Sequence, residues 1–260
     1  ELSLMDLLPN FEVRLAKNPN DLYAVQRLRY DVFVREMGAM GLGIDFDQKL
    51  ELDEYDPHCS HLMLLDRARG AALEDQVVGA YRLLTMQGAK DAGGFYSATE
   101  FDLSALLQSK RPLIELGRSC LRKPYRGGEA MFHLWQALAR LVVQEGAEIL
   151  FGTASFVGTD VEALAQPLTL LQQKYLVPLS IRPKTVAAHY IPLCQLPEAN
   201  VDRIAALRAM PALIKAYLRL GGGVGDGAYI DQAFNTTDVC LVLDVQTMNQ
   251  RQKAIYLKGP

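Results

Sequence analysis

Three consecutive segments near the middle of the chain leave few folds open. Pro112 to Ser119 is strand-like, Arg122 to Gly128 is a basic, glycine-containing loop, and Ala130 to Glu145 is a helical pattern. Met131, Leu134, Trp135, Leu138, Leu141 and Val142 recur there at the spacing of one helix face, and Gly146 supplies a C-terminal cap. An apolar stripe of this kind is buried against another element, and a preceding strand makes a sheet the partner.

The flanking sequence continues the alternation of strands and helices. Phe11 to Leu15 reads as a strand, and Asn18-Pro19-Asn20-Asp21 starts a helix that runs through Leu22, Val25, Leu28, Val32 and Phe33 to about Met37. Met40 to Asp56, rich in glycine and acids, reads as a long loop. His61 to Asp66 and Val77 to Met86 read as a hairpin around the polar turn Arg67 to Asp75. A short helix near Leu103 follows Gly93-Gly94. Beyond the central unit come a strand from Ile149 to Phe156 and a helix from Asp160 that Pro167 kinks or restarts. Pro183 to Leu193 is strand-like, Asp202 to Leu220 helical, Gly221 to Gly227 a glycine loop, and Val239 to Val245 a final strand. No repeat or Pro/Ser-rich linker divides them. The expectation is one α/β domain, with a core over residues 11–178 and a C-terminal elaboration over 179–260 that completes it.

Composition removes several classes of function. Of 260 residues, 50% are hydrophobic and 22% charged, which is globular rather than disordered. A net charge of -3 argues against a dedicated nucleic-acid binder. Cys59, Cys120, Cys194 and Cys240 form no CxxC pair, which excludes a zinc ribbon and fits a reducing compartment. No apolar run approaches the roughly 18 residues of a membrane span, and Glu1 to Asp6 lack the features of a secretory leader. A cytoplasmic location is expected.

The strand Leu113 to Cys120, the loop Arg122 to Gly128 and the helix Ala130 to Glu145 together resemble the acyl-donor site of the GNAT superfamily of N-acyltransferases. In that family, loop amides and a helix N-terminus hold the pyrophosphate or phosphopantetheine of the donor, because unpaired N–H groups and the helix dipole favour an anion. Gly128-Glu129-Ala130 fits the second half of the usual Gln/Arg-x-x-Gly-x-Gly/Ala motif; Tyr125 stands at the Gln/Arg position, with Arg126 adjacent. Arg29 to Phe33, then Asp53, Tyr55 and Asp56, Arg82 to Leu84, Glu115 and Arg118 resemble the acyl-homoserine-lactone synthases.

Over roughly residues 11 to 245 the pattern is closer to the bacterial ornithine N-acyltransferases. Its stretches are Gly93 to Ser97, Glu115 to Cys120, Tyr125 to Gly128, Phe151 to Phe156, Gly158 to Asp160, Ala216 to Gly221 and Phe234 to Val239. This resemblance implies a GNAT fold, with a mixed, mostly antiparallel central sheet flanked by helices and a C-terminal helical elaboration. It implies transfer of a 3-hydroxyacyl chain from acyl carrier protein to the α-amine of ornithine, giving lyso-ornithine lipid. Related enzymes acylate glutamine and other amino acids. The resemblance implies a donor that is the phosphopantetheine of the carrier protein or coenzyme A, with no tightly bound cofactor and no metal.

Aminolysis of a thioester needs a neutral amine, a polarised carbonyl and a route for a proton. An α-amine, with a reference pKa near 8, is far more often neutral than a side-chain amine near 10.4. Glu115 is the candidate base, with Arg118 beside it; the alternative is an ion pair locking the strand to the Arg82 region. The resemblance implies that the oxyanion donor is a backbone N–H at a bulge in the strand before the loop, which here falls near Gly117 to Ser119, and Gly117 suits a bulge. Gly117, Arg122, Lys123, Arg126, Gly127, Gly128 and Ala130 are the candidate donor-binding residues. Arg29, Arg82 and Arg118 are available for an amino-acid carboxylate, and Asp45, Asp47, Asp53 and Asp56 for an ammonium, or else for a solvated acidic loop.

Phe95, with Phe151, Phe156, Met131 and Trp135, is a candidate wall of the substrate and acyl channel, or else ordinary core. Six basic residues between Lys110 and Arg126, against the single acid Glu115, suit an acidic carrier protein or an ordinary basic loop. Arg208, Lys215 and Arg219 on the 202–220 helix fit either peripheral contact with the inner membrane face or a core helix with a solvated side. Leu2 to Leu8 offers the same contact. The His/Cys cluster Asp56 to His61 has no matching partner for a metal, and the Gly223-x-Gly225-x-x-Ala228 match follows a helix rather than a strand. An acyl-homoserine-lactone-type synthase and a non-catalytic sensor of carrier protein or lipid are the competing readings.

Overall fold

The structure, a computed structural model, describes residues 10–41 and 43–257. Strand β1 (Phe11–Leu15) leads into helix α1 (Pro19–Arg29), where the Asn18 side chain accepts from the Asp21 amide. Proline is tolerated in that first turn because its missing N–H would be unpaired anyway. The expected helix continues as a π-helical segment, Tyr30–Glu36. The hairpin strands are β2 (Ser60–Asp66) and β3 (Val77–Thr85), and the central unit is β4 (Leu113–Leu121), α2 (Glu129–Gln144) and β5 (Ile149–Val157). Then come α3 (Ala165–Lys174), α4 (Arg203–Ala209), α5 (Ala212–Arg219), β6 (Gly223–Val224), β7 (Tyr229–Asp231), β8 (Thr236–Asp244) and α6 (Gln250–Leu257).

The sheet order is β1-β2-β3-β4-β5-β8-β6, with β7 on β8. Every pair is antiparallel except β4 with β5. Strand β8, from near the end of the chain, pairs with β5 along its whole length, from Thr236↔Val157 to Asp244↔Ile149. Because side chains alternate across a strand, the register sorts residues onto two faces. One face carries Tyr81, Leu83, Leu116, Leu150, Ala154, Leu241 and Leu243, packed with Ala130, Leu134, Trp135 and Leu138 of α2. The other carries Arg82, Glu115, Phe151, Thr153, Ser155 and Asp238, and further along meets α1 through Met63, Leu65 and Ala80.

Several expectations change at prolines. The long helix from Asp202 is two helices, since Met210, preceding Pro211, is extended at φ -67°, ψ 129°. Ala206, Met210, Ile214 and Tyr217 bury one side of this pair in the core, while Arg208 and Arg219 stay exposed. Pro167 falls in the first turn of α3 and so starts that helix. Pro183 to Leu193 forms only the two-residue strand Lys184–Thr185, as Pro183 and Pro192 offer no N–H to a ladder. The 40–56 loop contains a small hairpin, Ile44–Asp45 with Leu50–Glu51. Leu2 to Leu8 lies outside the described residues. Among the described residues no helix is long and apolar enough to cross a membrane.

Candidate active site

Pairing between β4 and β5 covers only Leu113↔Ile149, Ile114↔Leu150 and Glu115↔Phe151. The strands last touch at Gly152, where an added Cβ would lie 2.0 Å from the Leu116 carbonyl oxygen. Beyond that point a cavity of about 450 Å³ opens between them. Leu116, Met131, Leu150, Leu213, Tyr217, Leu241 and Leu243 line it on the apolar face; Arg82, Tyr96, Glu115, Arg118, Thr153, Ser155, Asp231 and Asp238 line it on the polar one.

Strand β4 is bulged at this place. Gly117 pairs with Arg82 and Cys120 with Ala80, so Arg118 and Ser119 together oppose Tyr81. The left-handed residue is Arg118, at φ 48°, and Gly117 keeps an ordinary backbone. The bulge therefore falls where expected, although glycine does not carry it. Plain alternation would point Arg118 away from Glu115, and the inserted residue restores it to the same side. Its guanidinium stacks 4.7 Å from the Tyr96 ring centroid and 5.1 Å from that of Phe234.

Glu115 is 4% exposed and stands at the apex of the opening. Both its oxygens accept from backbone amides, Oε2 from Tyr96 (2.9 Å) and Oε1 from Ser97 (2.6 Å). Burial raises its pKa above the usual glutamate value, and those hydrogen bonds pull it only partly back. Arg82, the alternative ion-pair partner, donates instead to Asp53 (2.6 Å) and Asp56 (2.9 Å).

The expected acceptor residues divide into two groups. Of the three arginines considered for the acceptor carboxylate, Arg82 and Arg118 border the cavity. Arg29 is fully buried away from it, donating to Glu51 and to Asp56 (2.8 Å). Arg118 completes the network through Glu51 and Asp53, each at 3.0 Å. Burial drives the Asp53 and Asp56 carboxyls up, but Arg82 with Arg118, and Arg29 with Arg82, outweigh it and hold both below the usual range. Neither Asp53 nor Asp56 lines the cavity, nor does Asp45, which accepts from the Gln48 amide within its own turn. Asp53 and Asp56 are both paired with arginines of the fold, Asp56 in a buried position and Asp53 with its side chain 17% exposed. Phe95 packs edge-on against Phe151, centroids 5.0 Å apart, behind the wall. Met131 and Phe151 do line the cavity; Phe95, Phe156 and Trp135 are core.

The donor loop presents an open helix end. Gly128 is the N-cap of α2 without a side-chain cap, and a Cβ added at Gly127, which has φ 77°, would meet no atom within 4 Å. Lys123 is exposed. Arg122 and Arg126 are tied to the π-helical segment, through Asp31 (3.0 Å) and Glu36. Ala130 is buried in the first turn. The basic run is thus largely paired with acids of this chain, Arg111 included, through Glu148 and Asp244.

Sequence reasoning missed the polar wall opposite Arg118. Ser97 Oγ and Thr153 Oγ1 lie 3.2 Å apart, and Thr153 reaches Glu100 Oε2 at 3.5 Å. Glu100, Asp231 and Asp238 each bring a carboxylate oxygen within 4.8 Å of the other two. The signal for Asp238 was a charge inside the β-pattern Thr236 to Leu243; Glu100 and Asp231 gave none.

The acetyltransferase (GNAT) domain family matches residues 28–136. An L-ornithine N(alpha)-acyltransferase of Rhodobacter capsulatus is 49% identical over 96% of this chain and 95% of its own. One from Rhizobium meliloti is 39% identical over 96% and 85%. The CoA-dependent acyl-homoserine lactone synthase BjaI, at 13% identity, shares the fold with a TM-score of 0.53 over 95% of this chain and 88% of that one. With identity at this level along nearly the full length, the chain belongs to the L-ornithine N(alpha)-acyltransferase family and is an acyltransferase of the GNAT fold.

Proposed function

We propose that this enzyme moves a 3-hydroxy fatty acyl chain from the phosphopantetheine thioester of an acyl carrier protein to the α-amine of ornithine, giving lyso-ornithine lipid. The observation that carries this reading is one cavity open to both faces of the sheet, apolar on one and polar on the other, with Glu115 at its apex. An acyl chain suits the Leu116, Met131, Leu213 and Leu241 side, and an amino acid suits the Arg82, Arg118 and Thr153 side. The phosphate of the donor arm suits the uncapped N-terminus of α2, flanked by Lys123 and Arg126.

In this reading the neutral α-amine attacks the thioester carbonyl and a C–N bond forms. Past Glu115, β4 has no partner strand on its β5 side, and a backbone N–H of its bulge would serve as donor to the developing oxyanion. Glu115, directly or through a water, takes the amine proton, and collapse breaks the C–S bond and expels the thiolate, which receives that proton back from Glu115 or through water and leaves as the thiol. The acceptor carboxylate lies toward Arg82 and Arg118.

The test is incubation with 3-hydroxypalmitoyl carrier protein and a mixture of the common amino acids plus ornithine, with products identified by mass spectrometry. N-acyl-ornithine is the expected product. Acyl-glutamine would move the acceptor, and absence of product with this donor and with acyl-coenzyme A would leave a binding protein. Release of a methylthio-nucleoside from S-adenosylmethionine would point to lactone synthesis instead.

A further inference from the structure

We propose that Glu100, Asp231 and Asp238 form the subsite for the side-chain ammonium of the acceptor, and that this cluster selects ornithine over neutral amino acids. The inference rests on the ornithine reading above and names the residues that would enforce it.

Three observations carry it. One oxygen from each carboxylate lies within 4.8 Å of the others, with Asp231 and Asp238 on the paired strands β7 and β8 and Glu100 from more than a hundred residues earlier. Asp238 is only 2% exposed, yet its Oδ1 has no hydrogen-bond partner among the described residues, which is costly unless something else supplies a donor. Asp231 and Asp238 line the same cavity as Glu115, and Asp238 pairs with Ser155 on the polar face of the sheet. Glu100 joins them through Thr153, which also meets Ser97, whose amide holds Glu115. The base and the acid cluster are thus linked by one short polar chain along one wall.

A primary ammonium has three N–H donors and no acceptor, which matches three converging carboxylates. The charges around the cluster fit the same role. Arg118 is the cation that acts on both Glu100 and Asp238, while its Nε–H and one Nη–H group donate to Glu51 and Asp53. Tyr96 and Tyr229 are the neighbouring phenols and add no positive charge. Without a bound cation the acids repel one another in a buried setting: burial, Asp238 and Asp231 push the Glu100 carboxyl up, and burial with Asp231 pushes that of Asp238 up against the pull of the Ser155 and Thr236 hydroxyls. An incoming ammonium would displace those protons and supply the missing donor to Oδ1.

The experiment compares ornithine with norvaline, which has the same carbon chain without the terminal amine, using the full-length enzyme and one acyl donor. The variants are Asp238→Asn and Glu100→Gln, with Asp231→Asn as a third at a less buried position, each checked for a native melting transition. The expected result is a KM for ornithine raised roughly 30-fold or more, with a smaller change in kcat, because one partner of a buried charge pair is lost. The ratio of kcat/KM for ornithine to that for norvaline should fall by a similar factor. Folded variants that keep the full preference for ornithine would overturn the subsite and leave the ornithine reading intact. Loss of wild-type activity on chelation, restored by Mg²⁺ or Mn²⁺, would assign the cluster to a metal and overturn it as well. A wild-type enzyme that acylates neutral amino acids but not ornithine would remove the functional reading itself, before any variant is made.

Discussion

Two buried carboxylates on the polar face differ in what their surroundings ask of them. Glu115 has two peptide N–H groups on its carboxylate and enough burial to raise its pKa, the combination of a proton acceptor poised above the ordinary glutamate range. Glu115→Gln keeps the size and one acceptor oxygen, so the fold should survive while turnover falls about 100-fold or more. The acid limb of the wild-type kcat profile should disappear with it, and an unchanged limb would show that another group is the base. Asp238 makes a stability statement as well. Burial, with the Asp231 charge, raises its pKa on folding, so the folded state takes up a proton. That contribution is full below the unfolded value and is lost as pH rises through the folded one. Asn carries no charge at any pH, so Asp238→Asn should match the wild type at pH 4 and exceed it at pH 8 by about 1–3 kcal/mol. Denaturant titration at the two pH values measures this. A variant less stable at pH 8 would mean that Asp238 is a structural partner rather than a strained functional one.

At the scale of elements, the opening between β4 and β5 depends on two glycines that do opposite things. A Cβ at Gly152 would meet the Leu116 carbonyl oxygen at 2.0 Å, so backbone must move to admit it. Gly152→Ala should cost about 3 kcal/mol or more, or prevent folding, because the clash is with main chain. A Cβ at Gly117 meets nothing within 4 Å, and the residue has an ordinary φ. Gly117→Ala should melt like the wild type yet lose roughly tenfold or more in turnover, since the methyl stands in the cavity where the reacting groups are aligned. Melting curves and initial rates on both variants separate the two effects; equal destabilisation would remove the distinction. The strand, loop and helix around these glycines were legible in the sequence because amphipathic spacing and capping are local signals. The bulge was legible in place but not in which residue adopts the left-handed backbone. Pro211 was visible, but the residue-to-residue periodicity across it concealed a break. The acids of the 45–56 loop were visible as charges, whereas the neutralisation of Asp53 and Asp56 by Arg29, Arg82 and Arg118 depends on pairings more than twenty residues apart. The Glu100, Asp231 and Asp238 cluster was illegible for the same reason, as no local pattern ties a 3-10 turn to two strands near the other end of the chain.

At the scale of the molecule, the sheet works as a partition with a gap. The apolar core under α2 continues into the cavity on one side, and the polar wall held by Tyr96, Ser97 and the arginine network borders it on the other. On the proposed reading, two substrates of opposite character meet at Glu115 without either crossing the other's surface. That reading needs both bound at once and has no use for a covalent relay. The thiol closest to that role is Cys120, which borders the cavity. Burial pushes its pKa up to about 12, so the nucleophilic thiolate is scarce at neutral pH. Rates measured over a grid of donor and acceptor concentrations should therefore give intersecting double-reciprocal lines. Cys120→Ser should keep turnover within about threefold, since direct attack makes no thioester on the protein. Intact mass spectrometry after mixing enzyme with donor alone should show no added acyl group. Parallel lines, together with an acyl adduct that Cys120→Ser abolishes, would replace direct attack by a two-step transfer and would make the two-sided cavity a route for sequential rather than simultaneous binding.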